Sequence, residues 1–310
     1  MGLYDYFEAI DWYSQSLKIY CEIDNQLGIC HTYKMLKWIY YYLGKYENAL
    51  DYLNKQMDVA NQFDLRDQEI AGLAVASRYY SSLGDFNRAE SFSKRWEVLW
   101  NEIEDQLRGA WSIIPISRFN LHKGNHQAVK DYCRQCVDIF IGRNQPDGEI
   151  DRLLLLGDAI SGLGEQEEAE EVYQQAIILG YEIHQPRQVL EAQAGLARVS
   201  MARGETEQAL IQVEDILAYI EANTPPKGSS FCLDGTEEPF RILLTCYHAL
   251  KANTDGRAHS ILTDAYNLLQ KRAANISDEH LRDCFLNNVA INREIVDEYE
   301  ALGLEGCAPL

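Results

Sequence analysis

Cys133 and Cys136 form the one C-x-x-C pair in the sequence, the spacing of half a zinc site or of a redox couple. No second such pair completes a four-thiolate site. His122 and His126 stand four apart, a separation that would give two imidazoles to a metal if both lay on one helix. The glycine between them, Gly124, argues for a turn instead. The remaining histidines, His31, His184, His248, His259 and His280, are scattered. Gly162-Leu163-Gly164 is followed by Glu165 where a phosphate-binding loop needs lysine. Neither a G-x-S-x-G elbow nor an H-E-x-x-H helix occurs. The sequence therefore predicts no catalytic residue, no metal and no cofactor: a protein that binds and is not an enzyme.

Composition narrows what it binds. With 46% hydrophobic and 25% charged residues, the 310-residue chain has the material for a packed interior. Forty-eight acidic against 28 basic side chains give a formal charge of -20, which repels nucleic-acid phosphates and anionic lipid surfaces. Direct binding to nucleic acid or membrane is not expected. Residues 1–10 lack the basic and apolar regions of a secretory signal, and nowhere do about 18 apolar residues run together. Eight scattered cysteines fit reduced thiols. A cytoplasmic location is expected.

The elements that position these residues repeat. Gly44, Gly84, Gly124, Gly164 and Gly204 recur every 40 residues. Their flanks recur too: Leu43-Gly44-Lys45-Tyr46 with Ala49, Leu83-Gly84-Asp85-Phe86 with Ala89, Leu163-Gly164-Glu165 with Ala169, and Gly204-Glu205 with Ala209. Val129 takes the alanine slot in the Gly124 copy. Glycine permits a tight helix-to-helix turn, and a small residue five positions later lets antiparallel helices approach. Ala9 and Ala258 extend the series, giving seven second helices. Within first helices, Leu153, Leu156, Gly157 and Ile160 make one buried stripe. Ser77, Ser117, Ala197 and Cys246 fill the Gly157 slot elsewhere, and Lys37 is the misfit. In this register Cys133 aligns with Tyr13, Leu53 and Tyr173, and Cys136 with Ser16, Ala176 and Ala265, so both cysteines are expected in the core. The acidic run 165–171 reads as the solvated start of a helix.

The Leu-Gly-x-aromatic turn, the small residue of each first helix and the alanine of each second helix resemble tetratricopeptide repeats, over roughly residues 1–273. The repeats are longer than that family's ~34 residues. Long repeats of this kind are similar to the C-terminal helical arms of STAND-type bacterial regulators. The resemblance implies an all-α, right-handed superhelical solenoid of stacked antiparallel helix hairpins with a C-terminal capping helix. Residues 1–26 give the second helix of an incomplete first repeat, 27–222 five hairpins, 223–235 a loop containing Pro, Gly and Ser, 236–273 a last hairpin, and 274–310 the cap and tail. Ser277 is expected to open one long capping helix carrying Leu281, Phe285, Val289, Val296 and Tyr299.

First helices of such arrays line a concave groove. By register, its partner-binding residues are His31, Lys34, Trp38, Tyr41, Arg78, Trp111, Arg118, Asp158, Arg198, Phe240 and Tyr247. Arginine forks and aromatics suit an acidic, partly apolar peptide. The same arginines could instead pair with Asp158, Glu191 or neighbouring carboxylates. Lys34 followed by Trp38 does not carry over the carboxylate clamp of chaperone-binding tetratricopeptide domains. Pro115 is expected to kink or break its helix. Tyr13, Leu17 and Tyr20 lack a packing partner on one side, so an upstream domain of the same polypeptide or self-association is expected to cover the first helix. The functional expectation is a module binding a peptide or protein segment. The alternative is a ligand-sensing or autoregulatory arm of a larger signalling protein.

Overall fold

The computed structural model describes residues 3–100, 106–223, 233 and 235–303. Among these, fifteen α-helices follow in order: α1 (Leu3–Glu22), α2 (Gln26–Tyr42), α3 (Tyr46–Gln62), α4 (Arg66–Ser82), α5 (Phe86–Leu99), α6 (Gln106–His122), α7 (His126–Gly142), α8 (Pro146–Gly162), α9 (Gln166–Glu182), α10 (Pro186–Ala202), α11 (Thr206–Asn223), α12 (Pro239–Ala252), α13 (Ala258–Ala274), α14 (Glu279–Asn287) and α15 (Ala290–Ala301). Successive helices pack on one another, α5 meeting α6 through the Trp96 N–H donated to the Ser112 hydroxyl at 3.2 Å, giving an all-α solenoid of helical hairpins. The connection between α11 and α12 lies largely outside the described residues, which exclude 224–232 and 234.

Two kinds of turn close the 40-residue period. From α2 to α10 every helix except α5 is 17 residues long, and three-residue turns separate them wherever both flanks are described. The repeating glycines hold φ between 68° and 84°. The residue after each donates its N–H back into the helix, as Lys45 does to the Tyr40 carbonyl at 2.9 Å, the hydrogen bond of a Schellman cap. The return turns use the same bond with non-glycine residues at positive φ: Asp24, Asp64, Asn144 and His184. Asp, Asn and His tolerate that region better than other side chains. In the last hairpin, Thr254 takes it at φ 54°.

Small residues sit where helices cross. Ala49, Ala89, Val129, Ala169 and Ala209 are fully buried, as are Ser77, Ser117, Ala197 and Cys246. At Gly157 and Gly195 a Cβ would lie 2.7 Å and 2.3 Å from the Tyr173 ring, which is wedged between α8 and α10. Lys37, in the corresponding slot of α2, is buried and donates to Gln56 Oε1 at 2.5 Å. Cys133 and Cys136 are core residues, packed with Val129 and Phe140.

Two local expectations change. Of the kink or break expected at Pro115, the break does not occur; α6 runs on from Gln106 to His122. The cap is two helices rather than one, because Val289 leaves helical geometry at ψ 112°. Asn292 donates to the Phe285 carbonyl at 2.8 Å, satisfying an acceptor freed by the break. The N-cap of α14 is Asp278, whose carboxylate accepts from the Leu281 N–H. Ser277 bonds elsewhere, donating its N–H and hydroxyl to Glu47.

That contact is part of a closure between the ends of the array. Arg272 donates to the Tyr46 hydroxyl at 3.0 Å, Asn288 to the Gly84 carbonyl at 3.1 Å, and Phe285 packs on Tyr46 and Phe240. One apolar cluster accordingly joins Tyr41 and Tyr46 to Leu243, Leu250 and Phe285. In α1, Tyr6 is buried and accepts from Arg187 of α10 at 3.2 Å. Tyr13, Leu17 and Tyr20 of α1 are half-buried, and the Tyr20 ring lies against Gly28. Phe7, Trp12, Ile19 and Ile23 are exposed.

Candidate functional site: a charged cluster on the inner wall

The thirteenth residues of α2, α4, α6, α8 and α10 are aligned by the 40-residue period. The side chains of Trp38, Arg78, Arg118, Asp158 and Arg198 therefore come from α2, α4, α6, α8 and α10 onto a common inner wall. A segment of the chain itself lies against this wall: Thr236, Glu237 and Glu238, immediately before α12. Pro239 at the first helical position starts α12, and the carboxylates before it meet the positive end of the helix dipole.

Each arginine has a defined environment. The Arg78 guanidinium lies over the Trp38 and Tyr41 rings at 5.0 Å and 4.6 Å and pairs with Glu237. The other Glu237 oxygen accepts from the Tyr42 hydroxyl at 2.7 Å, and the Glu237 N–H donates to Glu191 at 2.5 Å. Arg118 sits 3.4 Å from Glu238 and 3.5 Å from Glu191. Asp158 accepts from Arg198 at 2.9 Å, Arg241 at 2.7 Å and the Tyr173 hydroxyl at 2.6 Å. Removing one member of a buried pair of this kind costs roughly 3–5 kcal/mol, because the other charge is stranded.

Protonation follows from these neighbours. Burial acts to raise Glu238, but His122, Arg241 and Arg118 outweigh it and hold the carboxyl well below its usual range. Asp158 is likewise held low by Arg241 and Arg198 against the effect of burial. Glu191 goes the other way: burial, aided by Glu238 and Asp151, pushes it to about 8 despite Arg118. Burial raises Asp151 to about 6. Arg118 is 4% exposed, yet its Nε and Nη2 lack a hydrogen-bond partner among the described residues.

Between the wall, the acidic segment and the cap lies a cavity lined by Tyr41, Arg78, Arg118, His122, Phe240 and Phe285 among others. Its volume is about 70 Å³. One water needs ~10–15 Å³ on this measure, so the space holds a few waters and no peptide.

The predicted groove residues divide accordingly. Trp38, Tyr41, Arg78, Arg118, Asp158, Arg198 and Phe240 belong to the cluster or border it. His31 is exposed and Lys34 half-buried, and neither lines the cavity. Trp111 packs edge-on against Phe140 at 5.3 Å. Tyr247 donates to Glu298 of the cap at 2.6 Å. Glu237, Glu238 and Arg241 follow the insertion that breaks the repeat, where register assigns no groove position. The Glu-Glu-Pro start of a helix was their only local signal.

The arrangement is a network of ion pairs and hydrogen bonds joining four first helices to the segment before α12. Burial pushes the Cys133 thiol far up and Cys136 to about 11, so neither supplies a thiolate. His122 bonds Ser81 at 2.6 Å, whereas His126 lies against Gly162, so the two imidazoles are apart. Among the described residues no group of three or more His, Cys, Asp or Glu could hold a metal. No helix among them is long and apolar enough to cross a membrane.

Comparison with solved structures bears on the fold. The chain is similar to a Rap protein crystallised in complex with Competence and Sporulation Factor, with a TM-score of 0.60 over 97% of this chain and 86% of that one. The fold is a tetratricopeptide-like helical-repeat fold. Sequence identity is 15%, so the likeness is one of architecture. No protein-family model and no curated protein sequence matches this chain.

Proposed function

We propose that this chain is a protein-interaction module that binds a peptide or protein segment on its inner wall, acting by recognition and not by catalysis, in the cytoplasm. The observation that carries this reading is the alignment of Arg78, Arg118 and Arg198 on one wall of a protein whose formal charge is -20. The guanidinium of Arg78 lies beside Trp38 and Tyr41, and Glu237, Glu238 and Asp158 balance the three arginine charges within the wall. Bidentate guanidinium contacts and aromatic anchors are the usual sources of binding energy in such sites. The structural likeness to a protein solved with a bound factor supports the same reading.

A second reading, a ligand-sensing or autoregulatory arm of a larger signalling protein of the STAND type, is favoured by the exposed Phe7, Trp12, Ile19 and Ile23 on α1. Such a face suits contact with another domain of the same polypeptide or with a second copy.

The test is affinity capture from cell lysate with the native chain and with an Arg78→Lys, Arg118→Lys chain of unchanged helicity. Lysine keeps the charge and removes the fork. A partner retained only by the native chain supports the inner wall. Equal capture by both sinks that reading and transfers attention to α1.

A further inference from the structure

We propose that Thr236–Glu238 is a built-in occupant of an acidic-peptide site, and that the partner of the inner wall is a peptide whose adjacent carboxylates displace it. This rests on the inner-wall reading above and adds to it the chemistry of the partner and the device that controls access.

Three observations carry it. First, the arginines and their occupant have different origins in the fold. Arg78 and Arg118 occupy equivalent positions of the regular 40-residue repeat, whereas Glu237 and Glu238 follow the insertion between α11 and α12 that departs from it. The cationic wall is thus complete without the acidic segment. Second, the segment fits the wall imperfectly. Glu237 engages Arg78, Tyr42 and, through its N–H, Glu191. Glu238 is shared among Arg118, Arg241 and His122 at 3.3 to 3.7 Å. Arg118, almost wholly buried, makes no hydrogen bond through Nε or Nη2, although Nη2 faces the Glu191 carboxyl at 3.5 Å. A carboxylate approaching in the bidentate fork geometry would satisfy both. Third, the cavity of about 70 Å³ beside the segment is too small for a peptide while the segment is in place. Entry of a ligand therefore requires the segment to leave.

Departure is feasible at this point in the chain. Loosening the start of α12 forfeits the bonds that the Glu238 carbonyl accepts from the Arg241 and Ile242 N–H groups and leaves the rest of the helix in place. The incoming carboxylates replace those that depart, leaving Arg78 and Arg118 paired throughout. The net gain is the better coordination of Arg118. The apparent affinity of a ligand is reduced by the fraction of molecules in which the segment is bound, and weakening the segment should raise that affinity.

The probe is a fluorescein-labelled synthetic peptide with the sequence of residues 233–240, titrated by anisotropy into the full chain and into its Glu237→Gln, Glu238→Gln variant. The variant should bind it at least about tenfold more tightly, as expected when a competitor held in the same molecule is removed. A control peptide with glutamine at both positions should bind neither form. Equal affinity for both proteins, or no binding to either, overturns the proposal. Should the variant fail to fold, amide exchange on the unmutated chain decides: millimolar peptide should accelerate exchange of the Glu237 N–H, now held by Glu191. Unchanged exchange overturns the proposal equally. Neither overturning result bears on the inner-wall reading, which the arginine-variant capture judges separately.

Discussion

Lys37 occupies a position that other units give to glycine, alanine, serine or cysteine, and its ammonium is wholly buried against Gln56. Burial, with Lys34 and Arg78 adding to it, lowers Lys37 to about 7. The unfolded chain keeps this proton up to an ordinary ~10.4, so between about 7 and 10 the folded state binds fewer protons, and stability rises with pH. Lys37→Met should therefore gain most in Tm over the parent near pH 6 and progressively less towards pH 10, as followed by thermal melts. Glu191 has the opposite sign. Its carboxyl is raised to about 8, so the folded state holds a proton that the unfolded state releases near ~4.3. That contribution to stability is full at pH 4 and is lost as pH rises through 8. Glu191→Gln removes the titration, and its Tm relative to the parent should climb between pH 5 and pH 9. A constant difference would mean that Glu191 titrates as an ordinary carboxylate. Neither shift was legible in the sequence. Lys37 showed only as a departure from the repeat, and Glu191 only as one of several acids near the arginines.

At the scale of elements, the glycine turns and the small-residue slots were legible because both are demanded by local geometry in every unit. The return turns were not, because Asp24, Asp64, Asn144 and His184 reach positive φ with different side chains. The break at Val289 and the displacement of Ser277 from the N-cap were hidden too, since both depend on where the cap meets α3 and the turn before α5. Gly84 and Gly164 separate local from distant demands. Both have positive φ, but a Cβ at Gly84 would lie 2.2 Å from the Cys284 carbonyl oxygen of the cap, whereas at Gly164 it meets open space. Gly164→Ala should cost only the backbone strain of about 1–2 kcal/mol. Gly84→Ala should lower stability by clearly more in denaturant titration. Equal losses would contradict the closure. The core placement of Cys133 and Cys136 predicts that neither is alkylated in the native state, whereas exposed Cys21 reacts readily. Peptide mapping after iodoacetamide treatment checks this, and rapid labelling of the pair would contradict their burial.

The whole molecule is a solenoid whose ends meet. Contacts separated by more than 200 residues, such as Glu47 with Ser277 and Gly84 with Asn288, are beyond any periodic reading of the sequence. They also account for what the register could not foresee: an inner wall already occupied by the chain's own carboxylates and roofed by its own cap. The arginines proved to be paired, and their alignment remains the basis for assigning recognition to this wall. The most direct test of that assignment is site-specific photo-crosslinking in cells, with benzoylphenylalanine placed at Trp38 on the inner wall or at exposed Trp12 on α1. A crosslinked partner is expected from position 38 and none from position 12. A partner captured from position 12 alone would contradict the assignment.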